Sequence, residues 1–256
     1  MRLLKCNDAD GFILTEFSGN SIPSYAILSH TWRLDGGEVT FKDLVECTSK
    51  GKAGYNKIQF CAQQAARDGL QYFWVDTCCI DKSSSAELAE AINSMFHWYR
   101  RAAKCYAYLS DVSIPEHNGR QFTWERAFRK SGWFTRGWIL QELIAPVSVE
   151  FFSSAGIRLG DRTSLVRQIH EITGITPRAL QGDPLRTFSV EERFSWAAER
   201  QTTREEDQAY CLLGIFGIYI PPIYGEGDNA FAHLRTEIAK ASMGKAFPLL
   251  SAPCPY

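Results

Sequence analysis

The chain has 256 residues, of which 45% are apolar, 22% charged and 13% aromatic. That composition excludes a disordered chain, a collagen-like chain and a small disulfide scaffold, and it can build a large core. The 28 basic and 29 acidic residues nearly cancel, so no overall positive field marks the chain for nucleic acid or an anionic membrane.

The eight cysteines are scattered, several of them inside apolar runs. That usage predicts reduced core thiols and a cytoplasmic location. The N-terminus lacks the apolar stretch of a signal peptide. The most apolar segment, Ala209 to Ile220, runs into Pro221-Pro222 and is too short to span a bilayer.

In chain order, Leu3-Leu4 and Phe12-Ile13-Leu14 flank the turn-forming Asp8-Ala9-Asp10-Gly11, which predicts a hairpin. Tyr25-Ala26-Ile27-Leu28 reads as a buried strand. Gly54 to Asp68 carries Ile58, Cys61, Ala62 and Ala65 on one helical face, with Gly69 as its stop. Tyr72-Phe73-Trp74-Val75 is a second buried strand. Ser84 with Glu87 forms a capping-box pattern, and Leu88, Ile92, Met95, Phe96, Tyr99 and Ala103 extend the apolar stripe of the helix that follows. Cys105 to Leu109 is a third strand. This alternation predicts a parallel sheet with helices on its faces, and functional loops at the carboxyl ends of its strands.

A polar loop, Ile114 to Gln121, precedes the tryptophan-rich segment Trp124 to Ala145, whose second helix ends at Pro146. Val147 to Phe152 reads as a strand paired with Ile157 to Leu159. Helices are expected over Asp161 to Thr173, Ser189 to Arg200, Arg204 to Phe216 and Asp228 to Lys240. The proline-rich tail reads as a linker, so a longer protein is expected. The expected organisation is an α/β core over 1–160, a helical extension over 161–243 and a tail over 244–256.

Chemistry-bearing residues fall at the predicted strand ends and on one helix. Phe134, Trp138 and Glu142 share a helix face at i, i+4, i+8. A carboxylate beside an indole is costly in a dry core unless paired. At a cleft, the indole offers a stacking surface and the acid accepts bonds from hydroxyls. Alternatively, Glu142 pairs with Arg136 or another arginine and only holds the fold. Ser29, His30, Thr31 and Trp32 follow the first buried strand, where they either touch ribose, phosphate and base or cap the sheet. Asp76 either binds ribose hydroxyls, orients His30, or caps a turn. Cys78 or Cys79 with His30 as base would make a cysteine hydrolase. No Cys-x-x-Cys pair exists and the histidines lack ligand spacing, so no metal is expected. Arg200, Arg204, Glu205, Glu206 and Asp207 read as a salt-bridged helix junction, a partner surface or a second pocket wall.

Four stretches carry a family resemblance: Tyr25 to Trp32, Trp74 to Asp81, Ser94 to Tyr99, and Trp133 to Leu143. Together with Trp196-Ala197-Ala198 and Arg204 to Gly214, they resemble the HET domain, the fungal heterokaryon-incompatibility module, over roughly residues 1–240. That family is considered distantly related to TIR domains. The resemblance implies a TIR-like (flavodoxin-like) parallel sheet and a death-signalling role. In enzymatic TIR domains a Trp-x-x-x-Glu pattern supplies the catalytic glutamate, and Trp138 and Glu142 match it.

The resemblance therefore implies cleavage of the nicotinamide–ribose bond of NAD⁺ by Glu142. NAD⁺ is then the substrate, with no cofactor. The implied pocket wall comprises Ser29, His30, Thr31, Trp32, Asp76, Trp133, Arg136 and Trp138. Self-association and further receptor domains are the implied partners. The rival reading is a non-enzymatic interaction or oligomerisation module.

Overall fold

The computed structural model describes residues 1–7, 11–33, 35–114 and 123–244. Seven strands form one mixed sheet: β1 (Arg2–Asn7), β2 (Gly11–Glu16), β3 (Tyr25–His30), β4 (Tyr72–Trp74), β5 (Lys104–Tyr108), β6 (Val149–Phe152) and β7 (Arg158–Asp161). Their order is β2-β1-β4-β3-β5-β6-β7. The four central strands, β4-β3-β5-β6, run parallel. The hairpin β1–β2 joins antiparallel to β4 through Leu4 and Phe73, and β7 closes the other edge antiparallel to β6. The sheet is therefore mixed, not wholly parallel. Its antiparallel members are short-range hairpins added to both edges of a crossover-built centre.

Twelve helices accompany the strands among the described residues. In chain order they are α1 (Phe41–Val45), α2 (Tyr55–Arg67), α3 (Asp76–Cys79), α4 (Ser85–Arg101), α5 (Thr123–Lys130) and α6 (Ile139–Ile144). They continue with α7 (Val166–Thr173), α8 (Pro177–Leu180), α9 (Val190–Ser195), α10 (Asp207–Tyr210), α11 (Leu213–Phe216) and α12 (Asn229–Gly244). The sheet is covered on both faces, so every residue of β3 is buried. Phe60 of α2 packs edge-on or tilted against Tyr106, Tyr108 and Phe152 on one face. On the other face, Trp98 and Tyr99 of α4 pack edge-on against Trp74, and the Cys105 thiol meets the Glu142 carbonyl of α6 at 3.8 Å.

From β3 the chain crosses to β4 on one side and then passes back over β3 to reach β5. The direction of winding reverses there, which opens a crevice beyond the carboxyl ends of these strands. The Ser84 hydroxyl caps α4 by accepting the Glu87 N–H. The Glu87 carboxylate does not complete a capping box, because it is held by Arg2 and by the Asp81 N–H instead.

Helix α6 ends before Pro146, where Arg162 donates to the carbonyls of Leu143, Ile144 and Val147. The expected helix from Asp161 starts only at Val166, because Asp161 belongs to β7 and bonds Ser164. Arg204 to Phe216 forms two short helices, α10 and α11, not one. No helix among the described residues is long and apolar enough to cross a membrane. The Asp8–Asp10 turn, the loop over 115–121 with His117, and the tail beyond Gly244 with Cys254 lie outside the described residues.

Candidate active site

A cleft of about 240 Å³ opens at the crevice where the winding reverses. Strand β3 delivers His30 and, just beyond it, Trp32. The end of β4 delivers Asp76, and the turn before α4 delivers Lys82. The 3₁₀ turn Gly132–Thr135 leads through Arg136 to Trp138 and Glu142 on α6. A strap over residues 201–204, together with Asp207 and Tyr224, forms the far wall.

Glu142 is only 7% exposed, and it forms no ion pair among the described residues. Its Oε2 has no hydrogen-bond partner. Burial pushes its carboxyl up to about 8, with the Asp76 charge adding, while the Ser29 and Tyr99 hydroxyls and Arg136 oppose the rise. The cleft therefore holds a largely neutral carboxyl at neutral pH. Such a group, buried yet lining an open cleft, marks functional sites more often than structural ones.

Asp76 behaves in the opposite way. Burial raises its carboxyl, but Lys82 and the Trp32 indole outweigh burial and leave it below the usual range. The Trp32 Nε1–H donates to Asp76 Oδ2 at 2.9 Å. Lys82 Nζ lies 3.5 Å from the same oxygen and 3.6 Å from the centroid of the Trp32 ring. The indole, 42% exposed, is held flat at the rim by a cation on its face and an acid at its edge.

His30 sits between Asp76 at 3.9 Å and Glu38 at 3.8 Å, and neither ring nitrogen has a hydrogen-bond partner. Burial drives its pKa down to about 4, so the ring is neutral. Glu38 is itself paired with the buried Lys57. On the far wall, Asp207 takes the Tyr224 hydroxyl at 2.9 Å and steadies Trp138 by a side-chain hydrogen bond. Arg204 lies over the Tyr224 ring at 4.2 Å.

Comparison with known proteins decides the lineage. The family model described as "Heterokaryon incompatibility protein (HET)" matches residues 25–119. The chain is 58% identical over 243 residues, 94% of its length, to "Vegetative incompatibility protein HET-E-1" of Podospora anserina. The chain belongs to the HET family. It spans only 18% of that relative's length. No solved structure matches it.

In this HET domain, the sequence-derived candidates separate into two groups. His30, Trp32, Asp76, Arg136, Trp138 and Glu142 all line the cleft. Ser29, Thr31 and Trp133 do not. Ser29 and Trp133 are fully buried, and the Trp133 indole donates to the Ser29 hydroxyl at 3.0 Å. They sit behind Glu142 as its support, out of reach of a ligand. The Thr31 hydroxyl shares a hydrogen bond with Ser110 at 3.2 Å. The Arg136 pairing with Glu142 is not formed, so the acid is not consumed by the fold.

The cysteine-hydrolase reading fails on geometry. Cys78 and Cys79 are buried, and neither reaches His30. The Cys79 sulfur accepts the Val75 N–H, and burial raises the Cys78 thiol well above its ordinary range. Among the described residues no cluster could hold a metal ion. The charged run 204–207 supplies the cleft's second wall through Arg204 and Asp207. Sequence reasoning singled out neither Lys82 nor Tyr224. An isolated lysine before a helix and a tyrosine after Pro221-Pro222 carry no local signal.

Proposed function

We propose that this HET domain binds NAD⁺ in the cleft and cleaves its nicotinamide–ribose bond, as the trigger of a fungal incompatibility and cell-death response in the cytoplasm. The observation that carries the reading is Glu142: a buried carboxyl with no ion-pair partner among the described residues, lining an open cleft beside an indole. Two further features support a TIR-like lineage for the fold. The parallel strands run in the order β4-β3-β5-β6, and Glu142 lies on a helix after the third of them.

The chemistry follows from charge. The nicotinamide ring is already cationic and leaves without a proton. Its departure develops positive charge on the ribose, as in glycoside hydrolysis. A cation arriving against Glu142 favours the ionised carboxyl, so substrate itself converts the neutral acid into a carboxylate. That carboxylate accepts bonds from the ribose hydroxyls and stabilises the oxocarbenium-like state. Water then attacks the ribose C1′, giving ADP-ribose, free nicotinamide and one proton. Trp138 and Trp32 offer stacking faces, and Arg136 and Arg204 supply positive charge for the pyrophosphate. Further domains in a longer chain and self-association of this one complete the proposed signalling unit.

The test is nicotinamide release from NAD⁺ by the purified chain over a range of protein concentrations. Glu142→Gln and Glu142→Ala are expected to lose activity by a factor on the order of 10²–10³. Unchanged turnover in folded Glu142→Gln removes the assignment. Absence of turnover in the wild-type chain at every concentration leaves the interaction-module reading.

A further inference from the structure

A second cavity, of about 330 Å³, lies beside the cleft. Its lining includes Phe194, Arg200, Gln208, Cys211, Phe231 and Arg235. Gly137 and Thr202 belong to both linings. They form the partition between the two spaces, and they touch so closely that a Cβ on Gly137 would fall 2.5 Å from Thr202 Cγ2.

The charge in this second space is one-sided. Its lining holds two arginines and no carboxylate. Neither Arg200 nor Arg235 forms an ion pair among the described residues. Arg200 donates through Nε to the Trp196 carbonyl at 2.9 Å and through Nη1 to the Arg136 carbonyl at 3.1 Å. Its Nη2 has no hydrogen-bond partner. Burial lowers its pKa to about 10, the mark of a cation that lacks a compensating anion. The Cys211 thiol, raised by burial to about 12, adds no negative charge. Arg235 lies over the rings of Phe194 and Phe231, 5.2 Å from each centroid.

A guanidinium nitrogen buried without a hydrogen-bond partner, as Arg200 Nη2 is, is costly unless something satisfies it. We infer that this cavity is a second ligand site, taking a phosphate-bearing small molecule whose anion is held by Arg200 and Arg235 and whose apolar part rests on Phe194 and Phe231. Guanidinium donors suit phosphate oxygens, and the aromatic wall suits a base or sugar. Arg200 also holds the backbone of Arg136, which lines the cleft. Occupancy of the second site thus acts on the position of a cleft cation.

Calorimetric titration of the purified chain with AMP, ribose 5-phosphate and inorganic phosphate at low salt tests this. AMP should bind saturably, and inorganic phosphate more weakly at the same site. Arg235→Glu, a surface change that spares the fold, should weaken AMP on the order of tenfold or more. Arg235→Lys should weaken it less. The cleft variant Glu142→Gln should leave AMP affinity unchanged, which separates this site from the proposed catalytic one. Absence of saturable binding by all three probes overturns the inference. So does AMP binding that survives Arg235→Glu or that is displaced through the Glu142 cleft.

Discussion

Replacing Glu142 with glutamine should stabilise the folded domain while removing its proposed activity. In the fold this carboxyl is held at about 8 against 4.5 for the free side chain. An acid with a raised pKa costs the folded state nothing below its unfolded pKa. The cost grows as pH rises from about 4.5 and levels off above about 8. Each unit of separation is worth about 1.4 kcal/mol, so the penalty at pH 7 is about 3 kcal/mol, and it is under about 1 kcal/mol at pH 5. Glutamine keeps the shape and an acceptor for the Ser29 and Tyr99 hydroxyls but cannot ionise. Urea unfolding at pH 5, 7 and 9 should therefore show the variant's advantage emerging between pH 5 and 7 and growing further by pH 9, with unchanged m-values. Equal stability of the two proteins at pH 7 and pH 9, or an advantage independent of pH, would refute the idea that this acid is held against its own solvation.

Three further outcomes are expected. His30, lowered to about 4 by burial, binds no proton in the fold where the unfolded chain does, so stability should fall as pH drops from about 6.5 towards 4. In the Glu142→Gln background that loss should reach about 2 kcal/mol by pH 5, and a His30 imidazole resonance titrating near 6.5 would contradict it. Asp76→Asn removes the partner of Lys82 and loosens Trp32, so KM for NAD⁺ should rise by a factor on the order of ten with a smaller change in kcat; an unchanged KM would count against the rim. Gly137→Ala forces a methyl into Thr202 Cγ2 and to within 3.2 Å of the Cys211 sulfur. It should cost about 1–3 kcal/mol of stability, partly recovered in the Gly137→Ala/Thr202→Ser double variant and measured by thermal unfolding.

The elements most legible in the sequence are those whose surroundings leave a local trace. Strand β3 reads as a continuous apolar run because helices cover both of its faces. Helix α4 announces itself through Ser84 and a long apolar stripe. Strand β7 extends past Leu159 to Asp161 because its stability is cross-strand. Glu150 of β6 receives Arg158 at 3.0 Å, while Lys104 of β5 holds its other oxygen at 2.6 Å, and no local pattern reports such a pair. The same limit governs the site. Glu142, Trp138, Asp76 and Trp32 stand in recognisable motifs. Trp133 stands in one too, but spacing cannot tell an indole aimed at a ligand from one aimed at Ser29 in the core. Asp207 and Tyr224 enter the cleft only because the helical extension folds back over it, a tertiary fact with no short-range signature.

Two of the cleft's three carboxyls, Asp76 and Glu142, explain why the site needs that extension. Asp76 is half-buried and Glu142 buried, yet Asp76 stays ionised and Glu142 is held neutral. Lys82 and the Trp32 indole compensate Asp76, whereas Glu142 receives only hydroxyls and the more distant Arg136. Environments that drive two acids apart in this way separate their roles. The ionised acid fixes the rim and its stacking surface. In the proposed reaction, the neutral one ionises when the cationic nicotinamide ring arrives. The strap over residues 201–204 and Asp207 exclude the water that would otherwise solvate Glu142 and level the difference. A cut that removed the helical extension would expose Glu142, return its pKa towards 4.5 and leave two ordinary carboxylates in an open crevice.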